Sequence, residues 1–244
     1  MTSREALVIS GGGRFVDPWH KFADTSAALA TSLRDRGYRV KVEADADAGL
    51  AALRSGRLPS LLVVNIGWYG SERFSEPAAE GLVSAVQRGL PMLLAHSTLT
   101  ASPDWPPWRE IAGGGWIRGT TYHPDYAPGV ALADPDHPLT AGLDRLTITD
   151  ERYTRMWIDE ASSVFLEHEE DGQRHPLGWT RFWGASPIVA DALGHDAGSY
   201  RAPGRVALLQ RELDWLQAPE ILPPFTEASV PKDTNGSPPG LRRC

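Results

Sequence analysis

Histidines and carboxylates recur in short clusters along this chain of 244 residues. Asp196 follows His195, Glu151 follows Asp150, and Ser97 follows His96. A carboxylate beside an imidazole holds the ring and raises its pKa, which suits general acid/base work. His195, held by Asp196, is therefore the first candidate base. Glu151 or His96 would protonate a leaving group or polarise a carbonyl. Asp150 and Glu151 suggest chemistry on a glycosidic bond, which takes two carboxylates. Neighbours in sequence do not straddle a substrate easily, so a second carboxylate would come from Asp17, Asp104 or Asp196. His96 and Ser97 could be base and nucleophile, but adjacent residues on an extended strand face opposite ways. Each cluster also has a plain structural alternative: a buried hydrogen-bonded histidine or a solvated turn.

Other groups suit ligand positioning. Trp19, Trp68, Trp105, Trp108, Trp179 and Trp183, among nine tryptophans, offer faces on which sugar rings stack, although most tryptophans fill cores. Trp19, Trp105, His20, Ser97, His123 and Arg152 are the expected ligand-binding residues. His137-Pro138 reads as a turn. Gly11-Gly12-Gly13 lacks the Gly-x-Gly-x-x-Gly spacing and a P-loop lysine, so a tight turn near substrate is favoured over a phosphate site. There is no His-x-x-x-His or cysteine-based metal spacing, and no cofactor is expected. Histidines that meet in space would leave room for a divalent metal such as zinc.

These residues need elements that bring them together. Ala6–Ser10, Tyr38–Val42, Leu61–Ile66 and Met92–Ala95 are apolar runs that read as strands. Helices are expected between them, over Asp17–Leu33, Asp45–Leu53 and Ser75–Arg88. Asp17 is the expected N-cap of the first, with Pro18 at its first position and Gly37 beyond its end. Alternating strands and helices imply right-handed crossovers and a parallel sheet, with ligands beyond the carboxyl ends of the strands. The order then changes. Gly115–Thr120 and Gly129–Leu132 read as short strands, and Asp134–Thr140 as a turn. Val164–His168 and Leu177–Trp179 form a hairpin around Glu170–Gly172. Ile188–Leu193 is a last buried strand, and Pro203–Leu216 a closing helix. If the strands are parallel, His20, His96 and His195 share one edge.

The totals set bounds. The net charge of −7 argues against a nucleic-acid surface. No apolar run is long enough for a membrane span, and the start lacks a signal-peptide core. Cys244 is the only cysteine, so a cytoplasmic protein is expected. Residues 1–217 read as one α/β domain. Residues 218–244, rich in Pro, Gly and Ser, read as a poorly ordered tail. A homo-oligomer is left open.

Several ordered pieces resemble the trehalose-utilisation (ThuA-like) family. They are Leu94-Ala95-His96-Ser97, Trp116-Ile117-Arg118 with His123-Pro124, Asp136 to Leu143, Asp150-Glu151-Arg152-Tyr153, and Gly194-His195-Asp196. The resemblance covers about residues 5–217. It implies a flavodoxin-like, three-layer α/β/α fold with a mainly parallel central sheet, of the class I glutamine-amidotransferase type. In that superfamily a cysteine on the turn after a central strand attacks glutamine. His96-Ser97 occupies the matching place, so glutaminase chemistry is not expected without a thiolate. The resemblance links the chain to trehalose and related disaccharides, including 3-keto forms.

The first functional reading is therefore an enzyme, a lyase or hydrolase, acting on a sugar or 3-keto-glycoside by general acid/base chemistry. The partner is a small carbohydrate. The alternatives are a non-catalytic sugar- or metabolite-binding protein and a metal-dependent hydrolase.

Overall fold

The computed structural model describes residues 4–68, 73–100 and 104–218. The expectations for Tyr69, for the tail from 219 onward and for Cys244 lie outside the described residues. The first half follows its hydrophobic pattern: β1 (Arg4–Ser10), α1 (Phe22–Asp35), β2 (Tyr38–Glu43), α2 (Ala46–Ala51), β3 (Leu61–Asn65), α3 (Glu76–Gln87) and β4 (Met92–Ala95). All of β3 and β4 is buried, as strands covered on both faces must be. Each aliphatic side chain so buried is worth roughly 1.5–3 kcal/mol relative to exposure. Asp45 caps α2 by accepting the Ala48 N–H at 2.9 Å.

The second half holds α4 (Pro106–Ala112), β5 (Gly114–Gly115), β6 (Ala127–Ala133), β7 (Arg145–Asp150), β8 (Trp157–Ile158), β9 (Ser163–Glu170), β10 (Gln173–Trp183), β11 (Ser186–Asp191) and α5 (Pro203–Gln217). The main sheet has nine strands in the order β2-β1-β3-β4-β11-β10-β9-β6-β7, and β5 pairs with β8 apart from it. From β2 to β11 every pairing is parallel. This is the flavodoxin-like part, in which α2 packs on α3 and α1 lies against α5. From β11 to β7 every pairing is antiparallel. Four reversals leave β7 running the same way as β11, so both strands end at the same edge.

Three local expectations are corrected. Asp17 caps no helix: α1 begins at Phe22, and Asp17 instead closes a turn by accepting the N–H groups of Trp19 and His20 at 3.0 and 2.9 Å. Residues 116–120 form a turn, not a strand, because the Ile117 carbonyl accepts the N–H groups of Thr120 and Thr121 at 3.0 and 2.8 Å. The strand β7 was not expected. Its alternation buries Leu146, Ile148 and Asp150 and exposes the residues between them; a carboxylate on the inner face hides the apolar period.

α5 is fastened from below. Arg205, buried in α5, pairs with the carboxylate of buried Asp191 at the end of β11 and lies 3.8 Å from Glu212. Burial, with Asp191 adjacent, pushes the Glu212 carboxyl well above the ordinary range despite Arg205. Among the described residues no helix is long and apolar enough to cross a membrane.

Candidate functional site

Four strand ends deliver the site. After β1, the turn closed by Asp17 presents His20. After β4 the chain turns at once, and His96 takes a left-handed φ of 43°, a conformation that costs a non-glycine residue energy and marks functional turns. After β7 comes Glu151. After β11 comes His195, preceded by Gly194 at φ 126°. A side chain at Gly194 would meet the Tyr200 hydroxyl at 2.1 Å, so only glycine permits this approach.

These four side chains converge. One ligand atom from each of His20, His96, Glu151 and His195 lies within 4.8 Å of all the others. His96 Nε2 is 3.0 Å from His20 Nε2 and 3.5 Å from Glu151 Oε2. His195 Nδ1 is 3.2 Å from Glu151 Oε1.

Outer partners fix the rings. His20 Nδ1 lies 2.7 and 2.8 Å from the two carboxylate oxygens of Asp17, so it carries a proton and donates it there. His96 Nδ1 donates to the Ala192 carbonyl at 2.6 Å. With Nδ1 so committed, each ring turns its Nε2 inward. Tyr153 donates its hydroxyl to His96 Nε2 at 3.0 Å. Buried Asp150 holds the backbone: it accepts the N–H groups of Glu151, Gly194 and His195 at 3.0, 2.8 and 3.1 Å.

Electrostatics follows from this packing. Burial alone would push the Glu151 carboxyl up, but hydrogen bonding and charge from His195 and His96 outweigh it and hold Glu151 well below the carboxylate range. Glu151 in turn raises the His195 pKa against the effect of burial. The His195 Nδ1 contact lies off the ring's hydrogen-bonding direction, so the pair is electrostatic more than directional. Burial lowers the His20 pKa despite Asp17, and the neighbouring imidazoles add to the lowering. Burial and the carboxylates around Tyr153 push its phenol well above 10, so it remains a donor.

A cleft of about 420 Å³ opens above the cluster, lined by Asp17, Trp19, His20, Trp68, Thr100, Trp116, Arg118, His123, Glu151 and Tyr153. Trp19 is 63% exposed at its rim, an unusual position for a large ring in a folded protein and a natural stacking face. His123 donates Nδ1–H to the Pro124 carbonyl at 3.0 Å, leaving Nε2 3.7 Å from Glu151 Oε1.

Of the expected site residues, the structure brings together His20, His96, Glu151 and His195, with Trp19 and His123 at the cleft. Others are placed elsewhere. Asp196 does not hold His195: it accepts the Ser199 N–H at 2.9 Å and the Tyr126 hydroxyl at 3.2 Å, and Glu151 takes its place. Ser97 is buried and donates to the Ile66 carbonyl at 3.0 Å. Trp105 packs edge-on against Phe74, centroids 5.9 Å apart. Arg152 reaches back to the Ala127 carbonyl at 3.5 Å. Tyr153 and Trp116 take part without having been assigned a role in the site, while Asp17 and Asp150, candidate carboxylates for the glycosidic bond, instead hold His20 and the backbone around Glu151 and His195. The Asp-x-x-His spacing of Asp17 and His20 was the available signal; it was read as a helix cap.

Fold and site together define an α/β protein with a histidine–carboxylate cluster at the carboxyl edge of a flavodoxin-like sheet. The chain belongs to the ThuA, or trehalose utilisation, family, whose model matches residues 5–216. It is similar to a ThuA-like protein from Parabacteroides merdae ATCC 43184, at 18% identity and a TM-score of 0.73, covering 92% of this chain and 93% of that one. It is also similar to a ThuA-like protein from Bacteroides uniformis ATCC 8492, at 12% identity and TM-score 0.68, covering 88% and 93%. A β-galactosidase from Rahnella sp. R3 matches at 14% identity and TM-score 0.60, over 87% of this chain and 31% of the enzyme. At these identities the likeness is one of fold. No curated protein sequence matches.

Proposed function

We propose that this protein is an enzyme of carbohydrate metabolism acting on a sugar or glycoside, with 3-keto-glycosides as the best-suited class. The carrying observation is the convergence of three imidazoles and one carboxylate within 4.8 Å at the base of an aromatic-walled cleft. Membership of the trehalose-utilisation family supports a carbohydrate-related role.

A ketone at C3 acidifies the neighbouring C–H. The ketone oxygen placed against the cluster is polarised, which stabilises the enolate formed as the proton leaves. Collapse of the enolate expels the glycosidic oxygen, and that oxygen takes up a proton. His123 is the proton carrier in this reading: its Nδ1 is committed to Pro124 and its Nε2 faces the cleft. His195, enclosed by Glu151, His20 and His96, belongs to the polarising cluster instead. Trp19 and Trp116 flank the sugar ring.

The test is incubation of the purified full chain with 3-keto-trehalose and related 3-keto-glycosides, following release of the free sugar. Turnover is expected, with Glu151→Gln and His123→Ala each losing about 10²-fold or more, the usual share of a general acid/base group. Absence of turnover, or Glu151→Gln and His123→Ala variants as active as the parent, would sink the reading.

A further inference from the structure

We infer that His20, His96, His195 and Glu151 form a binding site for one divalent first-row transition-metal ion, with zinc the natural probe. Three geometric observations carry it. The first is the donor set: three imidazoles and one carboxylate offering atoms within 4.8 Å of one another. Such nitrogen-rich donors suit zinc and its first-row neighbours, while magnesium and calcium prefer oxygen.

The second is spacing. Arms of 2.0–2.1 Å on a tetrahedron put ligand atoms roughly 3.3 Å apart. Three of the six separations are 3.0 Å for His20 to His96, 3.2 Å for His195 to Glu151 Oε1 and 3.5 Å for His96 to Glu151 Oε2, and the whole set spans no more than 4.8 Å.

The third is ring orientation. Asp17 takes the Nδ1 proton of His20, and the Ala192 carbonyl takes that of His96. The two Nε2 atoms then face each other at 3.0 Å, and His96 Nε2 also accepts the Tyr153 hydroxyl at 3.0 Å, a bond that an ion taking that lone pair would displace. Carboxylate-to-imidazole and carbonyl-to-imidazole outer contacts are the usual means by which a protein orients metal-binding histidines. His195 Nδ1 is a buried nitrogen with no directed hydrogen bond, as a ligand waiting for an ion would be.

His20 and Glu151 both line the cleft, so an ion held here is reachable by substrate oxygens. Its chemistry would be that of a Lewis acid polarising a carbonyl or hydroxyl. The inference shares its residues with the sugar reading but does not rest on that substrate.

The test uses the full chain prepared without a polyhistidine tag, stripped with chelator, and titrated with zinc. Calorimetry and elemental analysis read the stoichiometry; cobalt substitution reads ligation through its visible absorption. One ion per chain is expected. His20→Ala and Glu151→Gln should lose more than the roughly 10–100-fold that removing an outer-shell partner costs. His123→Ala, which lies outside the four, should keep the stoichiometry. His96 sits in a strained turn, so His20→Ala, in a connection outside the helices and strands, is the primary variant, with circular dichroism confirming its fold. Lack of zinc binding above background, or equal binding by His20→Ala and Glu151→Gln, overturns the site and leaves a proton between His20 and His96. Turnover of 3-keto-glycosides together with no zinc binding above background would sink the metal and keep the sugar reading. Stoichiometric zinc without turnover would do the reverse.

Discussion

At the scale of residues, the site depends on where protons sit. His20 faces the cluster with Nε2 only because Asp17 takes its Nδ1 proton. Asp17→Asn leaves the turn able to form through the remaining oxygen but weakens that hold. Zinc affinity is expected to fall about 10–100-fold, in line with other outer-shell losses, with the melting temperature little changed; calorimetry and a thermal scan separate the two. Two histidines outside the site behave differently. His137 Nδ1 accepts the Leu139 N–H at 3.1 Å and Nε2 donates to Thr180 Oγ1 at 3.0 Å, so its ring is locked neutral. His168 is buried with Nδ1 unpartnered. Burial lowers both pKa values to about 4. The unfolded chain therefore takes up these protons near pH 6.5 while the folded protein does not. Stability is complete above pH 6.5 and falls as pH drops toward 4, by up to about 1.4 kcal/mol per pH unit for each group. Urea titrations between pH 7 and 5 read this slope, and His137→Gln should reduce it. A flat profile would contradict the neutral assignment.

At the scale of elements, the site is a matter of strand direction. His20, His96 and His195 follow strands of the parallel half, and the hydrophobic runs Leu7 to Ile9, Leu61 to Val64 and Met92 to Ala95 made those strands readable in advance. Glu151 is different. It reaches the same edge because the sheet reverses four times between β11 and β7, and β7 was hidden because only Leu146 and Ile148 mark its inner face, with Asp150 at the third inner position. Asp150 then ties β7 to the turn after β11 through two backbone N–H groups, those of Gly194 and His195. No local pattern announces such a bond, since its partners are 44 and 45 positions away. Asp150→Asn presents one amide nitrogen where all the partners are donors. A loss of about 1–3 kcal/mol is expected for a buried group left unsatisfied, together with weaker zinc binding as His195 and Glu151 drift apart. Chemical denaturation measures the first and titration the second. An Asp150→Asn protein of parental stability and affinity would show that the tie positions nothing.

At the scale of the whole molecule, the cluster is built from residues 20, 96, 151 and 195, and no three of them share an element. Its members were visible one by one, His96 and His195 as strand-end histidines and Glu151 beside Asp150. The three histidines were expected along one edge of a parallel sheet; the arrival of Glu151 among them was not, because the pairing His195–Asp196 looked sufficient in sequence and the true partner, Glu151, is distant. A site of this kind exists only when the fold exists. An ion that binds the native protein and not the unfolded chain adds stability of RT ln(1 + [L]/Kd), about 2.7 kcal/mol at a hundredfold excess over Kd. For a domain of this size each kcal/mol moves the melting temperature by about 2–4 °C, so saturating zinc should raise it by roughly 5–10 °C over the chelated protein. The rise should vanish in His20→Ala and persist in His123→Ala. A shift of the same size in His20→Ala would mean that zinc binds elsewhere. No shift in the parent would mean that the four residues are held together by the fold alone.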